Sequence, residues 1–108
     1  MTGQEIETAV RYGTPIVVIV FRNGMHGTIA MHQAQEMGRT AGVEIGDVDL
    51  ASYARSLGAS GYPVRDPGDL TPALEEAHAS GSVALVDVVT DPDIIHPSAR
   101  LSELAPDR

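Results

Sequence analysis

Residues 15–28 read PIVVIVFRNGMHGT, and the reading of this stretch decides the fold. An apolar, mostly β-branched run from Pro15 to Phe21 stops at Asn23-Gly24, and a glycine-containing segment opens the next element. That is the pattern of a strand, a polar turn and the start of a helix. A continuous apolar strand belongs to a parallel sheet whose two faces are covered by helices. In such sheets ligands sit beyond the carboxyl ends of the strands, where N–H groups at a helix start hold phosphate and an amide oxygen can hold a hard cation. A diphosphate and metal site is the first hypothesis for residues 23–28.

Working outward, the same alternation of elements continues. Thr2 and Glu5 have the spacing of a capping box, so a helix is expected almost from residue 1, burying Ile6, Ala9 and Val10 before Gly13 ends it. A second helix is expected from Gly27 to about Gly38, then a weakly patterned loop from Arg39 to Asp47. Asp49 caps a third helix with Leu50, Tyr53, Ala54 and Leu57 on one face. Ser60 to Val64 reads as a short strand that Pro63 weakens. Asp66-Pro67-Gly68-Asp69 is a turn leading to a helix marked by Leu70, Ala73, Leu74 and Ala77, and Ser82 to Val89 is a second strand of the buried type. The order points to an α/β fold with a doubly wound, mostly parallel sheet flanked by helices. Only two strands are well marked, as in the later part of a larger α/β domain. Residues 1–92 are expected to form the domain and 93–108 a tail that wraps its surface and ends in a turn around Leu101 to Leu104.

With 108 residues and 43% hydrophobic content, the chain suits one small globular domain. Four aromatic residues (Tyr12, Phe21, Tyr53, Tyr62) and no Trp leave the core to Val, Ile, Leu and Ala. A formal charge of -8 without any Lys-Arg cluster argues against nucleic acid and against an anionic membrane as partners. The absence of cysteine removes disulfides, thiolate metal sites and a cysteine nucleophile, and no apolar span is long enough to cross a bilayer. A cytoplasmic location is the expectation.

Residues 1–33, MTGQEIETAVRYGTPIVVIVFRNGMHGTIAMHQ, together with VALVDVVTDPDIIHP near the end, resemble the C-terminal cofactor-binding domain of acetolactate synthase-like, thiamine diphosphate-dependent enzymes. The motif of that family opens with Gly-Asp-Gly at a strand end and closes, after a helix and another strand, with Asn-Asn. The resemblance implies thiamine diphosphate and Mg2+ as cofactors. It makes Asn23 the match of the second Asn, giving its side-chain oxygen to the metal, and gives Met25 the role of a backbone carbonyl ligand. Gly27 and Thr28 would lie at the diphosphate, and Met31-His32-Gln33 towards the substrate side of the cofactor. A 2-oxo acid is the implied substrate of a full-length relative, and a homo-oligomer the implied assembly.

Two departures qualify the match. The Gly-Asp-Gly is absent, so the chain is expected to lack the first motif strand and its metal-binding Asp, and Arg22 stands where the first Asn would be. The partner domain that supplies the activating Glu is not in this sequence either. The isolated chain is therefore expected to be an incomplete, inactive fragment of a decarboxylating or carboligating enzyme, with no catalytic residue assigned. The alternative is a noncatalytic α/β module that self-associates through an exposed sheet edge.

Other constellations point to less. His26 and His32 are six apart and do not form an i, i+4 metal pair. His78 and His96 read as solvated or structural residues. Glu75-Glu76 and Asp91 with Asp93 read as helix-surface and turn carboxylates, not an acid-base pair. No GxSxG, Walker or GxGxxG motif occurs.

Overall fold

A computed structural model describes residues 3–105. The chain divides into two compact units, one of Met1–Arg22 with Val48–Val89, the other of Asn23–Asp47 with Thr90–Arg108.

The first unit holds the parallel sheet. Its strands are β1 (Val17–Arg22), β2 (Ser60–Val64) and β3 (Ala84–Val89), in the order β1-β3-β2. Both pairings are parallel, Val17 to Arg22 against Ala84 to Val89 and Ser60 to Val64 against Ala84 to Val88. Helices α1 (Glu5–Arg11) and α3 (Leu50–Ser56) put Ile6 and Ala54 into one core with Val83 and Leu85, to which Val18 and Val20 add. Helix α4 (Leu70–Ala79) covers the other face, where Ala73 and Ala77 meet Val64, Ala84, Val86 and Val88. Alternate residues of a strand point to opposite faces, so the two apolar sets of β3 feed two cores. The sheet is flanked on both sides, as the sequence predicts.

Three expectations change. Helix α1 starts at Glu5, with Gln4 at its N-cap and no side-chain cap there. Thr2 of the expected capping box lies outside the described residues. Strand β1, read as buried on both faces, is half-exposed: Val17, Ile19 and Phe21 are 40%, 45% and 68% accessible. The cause is position. β1 pairs only with β3 among the described residues, and β1 has only the α1 and α3 side packed by a core. The β2 segment that Pro63 weakened is a full strand, because Pro63 lies on an edge strand where a missing N–H donor is tolerated.

Close packing of helix on sheet shows at Gly61. A Cβ built there would lie 2.2 Å from the Ala51 carbonyl oxygen, so α3 approaches β2 as nearly as a bare backbone allows. Asp49 caps α3 as expected, its Oδ1 accepting from Ser52 N at 3.0 Å.

In the second unit, α2 (Gly27–Met37) carries Ala30 and Ala34 into a core with Val43, Leu101 and Ala105. The residues after Asp91 do more than wrap a surface. They form a small antiparallel pair, β4 (Ile94–His96) and β5 (Ala99–Arg100), followed by α5 (Leu101–Leu104), and Leu101 is fully buried. Residues 39–47 have no helix or strand, yet they are tied down. Gln33 of α2 acts as a backbone substitute, donating from Nε2 to Ala41 O at 3.2 Å while Oε1 accepts from Ala41 N at 3.0 Å. Further on, His26 N donates to Val43 O at 2.8 Å and Ile45 N to Gly24 O at 2.7 Å.

Candidate functional site

The candidate site lies in the second unit, at the turn that comes after β1 in the chain. Gly24 takes φ +73°, a conformation glycine adopts without strain, and Asn23 folds its side chain over it so that Oδ1 accepts from Met25 N at 3.2 Å. Helix α2 then begins at Gly27, with His26 as N-cap. No side chain caps this start, and no acidic residue occupies its first turn. The first N–H groups of an α-helix have no partner within the helix and carry the positive end of its dipole. An anion is the complement of that arrangement.

Asn23, Gly27 and Thr28 line one cavity of about 200 Å3, together with Met31, Pro92, Ile94 and Ile95. Three of the four expected binding residues are thereby brought together. The fourth, Met25, does not line it. Its side chain packs against the core of Ala30, Ala34, Val43, Leu101 and Ala105, and its backbone bridges to Glu44. His26 is exposed beside Gly27, Thr28 and Ile29 in a shallower recess, and His32 is exposed on α2. Met31 is the member of the Met31-His32-Gln33 segment that reaches the cavity, whereas Gln33 is spent on the Ala41 loop.

A cradle is visible at Gly27, where an added Cβ would come within 3.0 Å of Asn23 Nδ2. Together with the uncapped helix start and the Thr28 hydroxyl, it fits a phosphate group. For a divalent cation the set is thinner. The Asn23 amide oxygen retains a second lone pair beside its bond to Met25. Yet no group of three or more His, Cys, Asp or Glu residues among those described could hold a metal. Mg2+ in diphosphate sites takes one or two carboxylates besides phosphate oxygens and waters. The residues present fit the diphosphate and fall short of a metal site of their own.

Pro92, Ile94 and Ile95 reach the cavity from a segment that Asp93 holds in place. Asp93 Oδ1 accepts from Ser102 N at 2.7 Å, Oδ2 from Ser102 Oγ at 2.9 Å, and its backbone oxygen from Leu101 N at 2.8 Å. The Ser102 backbone bond, above all, holds the Asp93 carboxyl below the usual carboxylate range. Asp93 is thus an anchor for the start of α5, not an acid or a base. Glu75, Glu76, His78 and His96 are not among the residues that line the cavity, and His96 Nδ1 is 2.9 Å from Ser98 Oγ within its own turn.

One arrangement escapes a reading of the sequence alone. Asp87, in the middle of the apolar run ALVDVV, is fully buried, and Arg22 is bound to it. The signal is present, since an acid inside a buried strand requires a cationic or hydrogen-bonding partner.

The family described as thiamine pyrophosphate enzyme, C-terminal TPP binding domain, matches residues 1–88. The chain is similar to the acetolactate synthase of Bacillus subtilis (strain 168), 34% identical over 90 residues, which are 83% of this chain and 16% of that protein. It is similar also to an acetolactate synthase large subunit of Mycobacterium tuberculosis, 36% identical over 106 residues, 96% of this chain and 19% of the relative. Among solved structures, the thiamine diphosphate-dependent 4-hydroxybenzoylformate decarboxylase of Rhodococcus jostii RHA1 superposes with a TM-score of 0.71 at 28% identity, covering 80% of this chain and 16% of the other. The chain thus spans less than a fifth of the length of these relatives. The family match takes in β1, β2, most of β3 and the turn into α2, and this chain belongs to the thiamine pyrophosphate enzymes, as a C-terminal TPP-binding domain of the acetolactate synthase-like kind.

Proposed function

We propose that this chain supplies part of the diphosphate anchor of a thiamine diphosphate-dependent, acetolactate synthase-like enzyme acting on 2-oxo acids. The observation that carries the reading is the convergence of Asn23, Gly27 and Thr28 on one cavity at the uncapped start of α2. The α2 N–H groups and the Thr28 hydroxyl would donate to phosphate oxygens and Gly27 would leave room for them, while the Asn23 oxygen and the Met25 carbonyl would offer only two neutral ligands to a Mg2+ ion that depends on the diphosphate for the rest. Thiamine diphosphate, when bound, would supply the carbanion-stabilising chemistry that decarboxylation of a 2-oxo acid needs. Met31, Pro92, Ile94 and Ile95 complete the lining of the cavity.

Calorimetric titration of the 108-residue chain with thiamine diphosphate, with and without Mg2+, tests the reading. Saturable binding that Mg2+ strengthens, and that Asn23→Ala and Gly27→Ala both weaken, supports it. Equal binding by wild type and both variants, or no binding by any of them, removes it.

A second reading is carried by the open side of β1. Val17, Ile19 and Phe21 expose an apolar stripe on a strand whose outer edge has no neighbour among the described residues. Unguarded edges pair with other strands. Under this reading the chain is a noncatalytic module that forms homo-oligomers through β1. Light scattering after gel filtration decides it: a dimer or larger species that Ile19→Lys converts to monomer supports the module, and a monomeric wild type removes it.

A further inference from the structure

Asp87 is the buried titratable group that the cofactor reading leaves without a role. It lies in β3, the central strand, with none of its surface accessible. From one side Arg22, the last residue of β1, donates Nε to Oδ1 at 3.0 Å and Nη2 to Oδ2 at 3.2 Å. From the other, Arg65, the residue after β2, brings Nη1 to 3.9 Å from Oδ2. A single carboxylate therefore gathers the carboxyl ends of all three strands.

The two arginines are not equivalent. The Arg22 side chain is 13% accessible and meets the carboxylate fork to fork, whereas Arg65 is 48% accessible and beyond hydrogen-bond distance. Charge-assisted two-point pairs are the strong and geometrically specific ones. Buried ion pairs add little to stability over an apolar replacement, and their best attested use is to select one arrangement. Here the arrangement selected is that of an edge strand. β1 is laddered to β3 alone among the described residues, so its last residue has less to hold it than the end of a central strand would. The next residue in the chain is Asn23.

We propose that Asp87 is a positioning residue: through the Arg22 guanidinium it pins the carboxyl end of β1 and so fixes the backbone from which Asn23 presents its amide. The proposal rests on the assignment of Asn23 to the diphosphate anchor.

Asp87→Asn keeps the shape and removes the charge, Arg22→Lys keeps the charge and removes the fork, and Arg65→Gln removes the distant cation. Leu74→Ala, which opens space against the α4 core instead, is the control for simple destabilisation. Two quantities are read: the Asn23 side-chain amide resonances of the ligand-free chain, and the thiamine diphosphate dissociation constant in Mg2+. The expected result is shifted or doubled Asn23 resonances and binding weakened about ten-fold, the scale on which outer-shell partners act, in both Asp87→Asn and Arg22→Lys. The double variant should be no worse than either, and Arg65→Gln and Leu74→Ala should leave the Asn23 resonances in place. Unchanged Asn23 resonances in a folded Asp87→Asn or Arg22→Lys chain overturn the proposal, as does the same change in Leu74→Ala. If Asp87→Asn does not fold, Arg22→Lys carries the test. A wild type that fails to bind thiamine diphosphate removes the cofactor reading, while the resonances still decide the pin.

Discussion

Strands β1 and β3 have nearly the same sequence character and opposite fates. VVIVFR and ALVDVV are both short, mostly β-branched runs, yet β3 is buried from Ala84 to Val88 while every second residue of β1 faces outward. β3 has a strand on each side and a packed core on each face. Among the described residues β1 has one neighbouring strand and one core. The difference teaches that an apolar run records what a strand could bury, and its neighbours decide what it does bury. It also reverses the chemistry: the buried strand carries the acid, Asp87, and the exposed strand carries the cation that answers it.

The comparison can be broken most sharply by truncating each strand in turn. Leu85→Ala in β3 should cost about 2–5 kcal/mol of unfolding free energy, the range for a buried leucine, measured by urea denaturation. Gly61→Ala should come next, at about 1–3 kcal/mol, since its Cβ would collide with the Ala51 backbone and force α3 off β2; a smaller change would mean that α3 sits more loosely than its contacts imply. Ile19→Ala, in the outward stripe of β1, should cost only about 0.5–1 kcal/mol, and a loss matching that of Leu85→Ala would show that another surface covers the stripe in solution. The smallest effect concerns carboxylates away from both strands. Asp49 and Asp93 titrate below the ordinary aspartate value of about 3.9 because backbone N–H groups of Ser52 and Ser102 hold their charged forms. Their contribution is complete above that value and fades as pH falls through the lower, folded-state value. An acid titration of Asp93→Asn should therefore converge with wild type at low pH and separate from it near neutrality.

Much of the fold is legible in the chain because each element has a local cause. Asp49 caps α3, Gly38 ends α2, and the helix faces around Ala54 and Ala73 come from spacing alone. The abrupt stop of the apolar run marks Asn23, Gly27 and Thr28, and the structure gathers them. The features that escape a local reading are set at long range. The exposure of β1 depends on a sheet order that no local pattern encodes, and Val43, buried within a loop, is placed by contacts with Ala30, Ala34 and Leu101. The Asp87–Arg22 bond joins residues 65 apart, and only the oddity of an acid within an apolar strand hints at it. Met25 shows a different limit: a backbone carbonyl can be assigned by its match to a motif, but the side chain goes to the core instead of the cavity.

The Gln33 fastening of Ala41 bears on where this chain can change length. Loops ordinarily accept insertions more readily than the elements they join, and residues 39–47 belong to the longest stretch without helix or strand among the described residues, 38–49. Their backbone is nevertheless measured out, first by the paired bonds between Gln33 and Ala41, then by the bonds that His26 N donates to Val43 O and Ile45 N to Gly24 O. An extra residue between 38 and 45 would put one of these partners out of step and carry the strain back to the turn at Asn23. Past Ile45, Gly46 and Val48 are exposed.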